Sequence, residues 1–311
     1  MTDRTVVDAA GSNQPDPQEY LALIVVAPIE GWDRWIAAIQ HAASQAGLDT
    51  VIATNADDLE AARPNGDRIL VTHDASLVGL LQARQRVAVL TDVSDALSWA
   101  CVNGHALGPT VASISRSMAL AGLFGQLVKA NASSGSIALW PGFVLDVQPD
   151  PLARIGEAPG EAESAAAEAL SVLSGAGSLP AARWREPLFH YDQKLADRPN
   201  PAVIETSGRA RALVWGPYIH LPAGVWRVTA RFSVENGAEA HQFRAEWGTP
   251  EPTLYSSHAF RPGREGIFEI VIEYKWLDVA PAEFRMIQTE GSLGGTFTFM
   301  GLQLERVDHT L

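Results

Sequence analysis

The feature that most constrains this chain is a change of hydrophobic period near residue 185. From Tyr20 to about Leu145, apolar residues arrive in short unbroken runs: LALIVVAP, DTVIAT, DRILVTHD, RVAVLTD and SIALWPG. Unbroken runs suit strands covered on both faces, because neither side of such a strand meets water. Between the runs, apolar residues recur at helical spacing. Trp32, Trp35, Ile36 and Ile39 share one face of the first such stretch, and Gly47 is placed to end it. This alternation predicts a doubly wound parallel sheet of five strands. Beyond Trp184 the period falls to two. In VWRVTARFSV, Val225, Arg227, Thr229 and Arg231 fall on one face, and Trp226, Val228, Ala230 and Phe232 fall on the other. About eight such strands, separated by Gly, Pro and Asn turns, predict an antiparallel β-sandwich of jelly-roll type.

The organisation follows from that change. Residues 1–18 read as a Pro-punctuated flexible tail, 19–146 as the α/β domain, 147–185 as a linker with one helix from Glu161 to Leu173, and 186–311 as the sandwich. A length of 311 residues suits two domains, each with a core of its own. The net charge of −13 argues against nucleic acid or an anionic membrane surface as partner, since both need clustered Lys and Arg. No window approaches the ~20 apolar residues of a membrane span, and the N-terminus lacks the apolar core of a signal peptide, so the expectation is a cytoplasmic protein. Cys101 is the only cysteine, reads as a buried inert thiol, and excludes an internal disulfide.

In the first half, the carboxyl ends of the strands are where a ligand of such a sheet would sit. They offer Glu30, His73, Asp74 and Asp92 as candidate catalytic groups. Neither a GxGxxG fingerprint nor a GxxxxGK[ST] loop is present to cradle a nucleotide phosphate. Asp74 and Asp92 equally suit the N-caps of the helices that follow them. Ser113, Ser115, Arg116 and Ser117 suit a helix start able to meet an anion. Asp74, Thr91 and Pro141 stand where receiver domains of response regulators keep their phosphoacceptor, switch hydroxyl and proline, so this half resembles a degenerate member of that family. The acids expected after the first strand are replaced by Ala27 and Pro28, and Trp140 stands in place of the lysine. The resemblance implies a docking or dimerising domain and leaves a homodimer open.

The second half holds Trp184, Trp215, Trp226, Trp247 and Trp276 with Tyr191, Tyr218, Tyr255 and Tyr274. Sugars present apolar C–H faces and polar rims, so aromatic faces flanked by short polar groups suit them. Alternation assigns Trp226, Phe232, Phe268, Phe297 and Phe299 to the core, whereas Tyr218, His220, Trp247, Tyr255 and His258 lie near turns or polar neighbours and are the candidate ligand-binding residues. Gly216 and Pro217 form a structural corner ahead of Tyr218. Glu246, Glu269, Glu273 and Glu283 are candidates for a carboxylate pair. The eight histidines form neither HxxxH nor HxH, which gives no metal site and leaves only a calcium ion in the sandwich open. WGPYIHLPAGVWRVTARFSV, GIFEIVIEY, FRMIQTEG and GTFTFMGLQLERV resemble the carbohydrate-binding-module-like sandwiches attached to bacterial glycosyltransferases and other surface-polysaccharide proteins. That resemblance implies a non-catalytic accessory protein that binds a glycan or a polysaccharide-biosynthesis protein. Two alternatives stay open: a glycosyl- or other group-transferase acting at the strand ends, and a scaffold built on the receiver-like domain.

Overall fold

The computed structural model describes residues 20–27, 32–55, 57–58, 68–74, 77, 82–90, 93–102, 104–121, 126–129, 135–140, 143–147, 160–173, 181–192 and 201–307. In the first half, β1 (Tyr20–Ala27), β2 (Asp49–Ala53), β3 (Arg68–Thr72), β4 (Ala83–Leu90) and β5 (Gln126–Lys129) form a parallel sheet of order β2-β3-β1-β4-β5. Both faces of β1 are buried: Ala22, Ile24 and Val26 meet α1 (Trp32–Gln45), while Leu23 and Val25 lie in a cluster with α2 (Val93–Val102) and α3 (Leu107–Ala121). Trp35, Ile36, Ile39 and Ala43 form the buried stripe of α1. The helix ends as expected at Gly47. This residue has φ 72°, and Leu48 N–H donates to Ala43 O while Gly47 N–H donates to Ser44 O, so a residue without Cβ closes the last turn.

Two expectations change here. The fifth parallel strand is Gln126–Lys129, and SIALW belongs to a separate antiparallel hairpin of β6 (Gly135–Trp140) and β7 (Phe143–Val147). Ile137, Leu145 and Val147 of that hairpin pack in the α1 cluster. The Pro-Gly pair between two apolar runs was the hairpin signal. The strand order among the described residues also differs from the 2-1-3-4-5 order of receiver domains.

The second half is an antiparallel sandwich. One sheet has the order β10-β17-β12-β15, from β10 (Val203–Glu205), β17 (Thr296–Val307), β12 (Gly224–Glu235) and β15 (Gly266–Trp276), and β8 (Ala181–Trp184) also pairs with β17. The other has the order β14-β13-β16-β11-β9, from β14 (Thr253–Phe260), β13 (Phe243–Pro250), β16 (Ala280–Gln288), β11 (Arg211–Leu221) and β9 (His190–Tyr191). The alternation read from the sequence holds in β12, where Trp226, Val228, Ala230, Phe232 and Val234 are all buried. Beside β11, the Arg211 guanidinium fills an oxygen-lined crevice. It pairs with the Asp192 carboxylate and donates to the carbonyls of Glu205 at 2.6 Å and Ser207 at 3.1 Å.

Residues 181–184, which composition placed in the linker, are a strand of the sandwich. The linker helix is α4 (Glu161–Leu170), continued by a 3-10 turn over Ser171–Leu173. It lies against α2 and β8, and Ala165, Ala166, Ala169 and Leu170 are buried. Small side chains let neighbours approach closely, so one apolar cluster runs from Leu23 and Leu97 through Ala166 and Leu170 to Trp184 and the sandwich interior. The two separate cores expected from length are therefore joined. The second junction is α3, which packs along β11 beyond the point where β9 has ended.

Candidate functional site

The outer face of the β14-β13-β16-β11-β9 sheet gathers a cluster whose members come from four strands. Glu246 on β13 pairs in register with Arg285 on β16. Gly248 on β13 pairs with both Glu283 and Tyr255 on its two sides. Strand alternation turns Ala282, Phe284 and Met286 inward, so Glu283 and Arg285 face outward. Glu283 is only 1% exposed even so, because its neighbours fold over it.

Two tyrosines reach Glu283 by different local devices. Tyr218 is the extra residue of a β-bulge between Pro217 and Ile219 and holds φ 67°, in the left-handed region. That backbone is unfavourable for a bulky side chain, and bulges re-aim side chains out of a ladder. Its hydroxyl donates to Glu283 Oε1 at 2.9 Å. Tyr255 comes from two strands away. A Cβ on the intervening Gly248 would lie 2.0 Å from Leu254 O and 2.8 Å from Tyr255 Cα, so only glycine lets β14 come this close. Tyr255 then passes across it to donate its hydroxyl to Glu283 Oε2.

Arg285 completes the arrangement. Its Nη2 lies 2.8 Å from Glu283 Oε2 and its Nη1 3.8 Å from Glu246 Oε2, and its Cζ lies 4.5 Å from the centroid of the Tyr255 ring. Arg244 Nε sits 2.9 Å from the other Glu246 oxygen. Burial, with the bond to Glu283 second, pushes the Tyr218 phenol up to about 12 and raises Tyr255 in the same way, so both remain neutral donors. His190 stacks on Trp215 with centroids 6.0 Å apart and lies equally 6.0 Å from the Tyr218 ring. The result is a charge-balanced polar floor bordered by aromatic rings pinned at their hydroxyl ends. Such a surface offers acceptors and donors to neighbouring hydroxyl groups and apolar rings to C–H faces.

Of the residues singled out in sequence, Tyr218 and Tyr255 meet in this cluster with Glu246 and Glu283, whereas Trp247, His258 and His220 do not. Trp247 is fully buried between the sheets, where its indole donates to Trp226 O at 3.1 Å and its ring lies against Trp184 and Trp276. Its alternation with Phe243 and Ala245 was the stronger signal than its polar neighbours. His258 is exposed on the opposite face of β14, beside Phe260. His220 faces α3: its backbone N–H donates to Ser115 Oγ at 2.9 Å, and burial, with Arg116 second, brings its imidazole down to about 4. Ser115 is itself buried inside α3, away from the helix start at Leu107, so the anion reading of that serine does not hold. Glu30 and Asp92 lie outside the described residues. His73 and Asp74 follow β3, where Asp74 N–H donates to Thr72 Oγ1 at 3.0 Å. Burial lowers the His73 imidazole against the pull of Asp74 and Asp33. The carboxylate candidates divide between sheets: Glu246 and Glu283 share this face, whereas Glu273 pairs with Arg227 on the other sheet. Arg285, Trp215 and His190 were missed. The outward Glu-x-Arg within the apolar alternation of AEFRMIQ was the available signal.

Among the described residues no group of three or more His, Cys, Asp or Glu is placed to hold a metal ion, and no helix is long and apolar enough to cross a membrane. No protein-family model matches the chain, and none of the curated proteins does. Among solved structures, TmCBM61 in complex with beta-1,4-galactotriose is 11% identical over 42% of this chain and 90% of its own, with a TM-score of 0.27. The xylan-binding CBM22-1 domain of Paenibacillus barcinonensis Xyn10C is 9% identical over 43% of this chain and 85% of its own, with a TM-score of 0.24. A glycosylation-associated protein complex from Streptococcus agalactiae is 8% identical over 83% of this chain and half (50%) of its own, with a TM-score of 0.27.

Proposed function

We propose that this protein is a non-catalytic glycan-recognition protein of bacterial surface-polysaccharide biosynthesis, and that it binds sugar on the outer face of the sheet carrying Tyr218 and Tyr255. The observation that carries the reading is the double tether: two phenols from different strands share one buried carboxylate, and an arginine stacked on one of them spans to a second carboxylate. Pinning the rings before a ligand arrives removes ordering cost on binding. The floor pairs Glu283 and Glu246 with Arg285 and Arg244, which favours neutral sugars over polyanions. An accessory role fits a first half without a phosphate-cradling loop.

The test is isothermal titration of the full chain against neutral oligosaccharides and nucleotide sugars, repeated with Tyr218→Ala and Tyr255→Ala. Saturable binding that weakens ~10-fold or more in either variant supports the reading, since lost stacking and a freed acceptor together exceed about 1.4 kcal/mol. A folded protein that binds none of them sinks it.

A further inference from the structure

The sheet face does not end at Tyr218. On its far side a cleft of about 490 Å³ opens between the first turns of α3 and the sandwich, and Tyr218 and His190 line it. Its other walls are Leu107, Val111 and Ala112 of α3, with Leu188 and Phe189 of the segment entering β9. Its volume lies in the ~300–1,000 Å³ range of small-ligand sites. Among the described residues no Asp, Glu, Lys or Arg lines it, and His190 is the one titratable side chain besides the Tyr218 phenol, so its walls are mainly apolar. An aliphatic or aromatic group placed there would leave water for apolar walls.

We propose that the cleft takes the apolar aglycone of a glycoside whose sugar lies on the adjoining face. The assignment rests on the sugar-binding reading above and on the position of Tyr218. That residue belongs to both surfaces, with its hydroxyl on Glu283 and its flank on the cleft. One amphiphilic molecule can therefore span them without crossing a gap. Its polar end meets Glu283, Arg285 and Glu246, and its apolar end meets α3. The natural source is either a lipid-linked glycan or an aryl glycoside, which share this chemistry.

The experiment uses the full chain and two kinds of probe. First, the neutral dye N-phenyl-1-naphthylamine is titrated by fluorescence into wild type, Ala112→Trp and Leu188→Trp, which fill the cleft from opposite walls. Circular dichroism confirms that each variant is folded. Second, matched methyl, n-octyl and phenyl glycosides of glucose, galactose and mannose are titrated below micellar concentrations. Expected are saturable dye binding lost in both filled variants, and octyl or phenyl glycosides binding ~10-fold or more tightly than their methyl partners, a gain that disappears in the same variants. A larger gain for octyl points to a lipid carrier and a larger gain for phenyl to an aryl source. Absence of saturable dye binding overturns the cleft as a ligand site while methyl glycosides still report on the sheet face. Dye binding with no gain from octyl or phenyl, whether or not sugars bind, overturns the aglycone assignment.

Discussion

At the scale of single residues, Glu283 is the point on which the candidate site depends. It is buried, and both its oxygens are engaged by donors from three other strand positions. Replacing it by Gln leaves Arg285 with one carboxylate at 3.8 Å and takes the acceptor oxygen from one of the two phenols. Glu283→Gln is expected to cost about 2 kcal/mol in urea unfolding and to weaken any glycan bound on this face. Arg211 is a parallel case, since its guanidinium serves carbonyls and Asp192 in a crevice away from the face. Arg211→Ala is expected to cost about 3 kcal/mol while leaving sugar affinity within twofold, as read by the same titrations. The tyrosines of the site were legible because each stands beside a turn or short polar residues. The carboxylate beneath them was legible only as one of four glutamates, because its two tyrosine partners come from other strands and contact across strands leaves no spacing in the sequence.

At the scale of elements, close approach and edge protection shape the site. Gly248 is the place where β14 leans over β13. Gly248→Ala must push the two strands apart, because a Cβ there meets Leu254 O at 2.0 Å. The variant is expected to lower the melting temperature by several degrees and to displace Tyr255, seen as lost burial of its ring fluorescence. Along β11, β9 pairs only with Val214 and Trp215, and α3 covers the strand further on through the Ser115 to His220 contact. His220 titrates at about 4 in the fold and near 6.5 when unfolded. The unfolded chain therefore binds the extra proton between those values. The His220 contribution is fully present above pH ~6.5 and is lost as pH falls toward 4. Melting curves between pH 7 and 4 are expected to fall less steeply in His220→Gln than in wild type. Period alone was enough for β1 to β4, α1 and the long strands of the sandwich, but not for β5 or β8. SIALWPGF misled because a continuous run looks the same in a parallel strand as in a buried hairpin, and Trp247 misled because its polar neighbours on β13 point the other way.

At the scale of the whole molecule, α4 converts what composition reads as a linker into a packed joint. Its alanines bring α2 and the first sandwich strand onto a single apolar cluster, and α3 adds a second contact. Differential scanning calorimetry of the full chain is expected to give one cooperative transition, with calorimetric and van't Hoff enthalpies in agreement. Two resolved transitions would show that the halves melt independently. The order of the strands carries a further consequence for how the protein is made. β17 lies in the middle of its sheet, with β12 on one side and β8 and β10 on the other, yet it is the last of these strands to leave the ribosome. Translation at ~5–20 residues per second gives the parallel sheet time to form first. Meanwhile β8 and β10 wait in the nascent chain without the partner that joins them to β12, whose backbone edge stays unpaired until residue 307 has emerged.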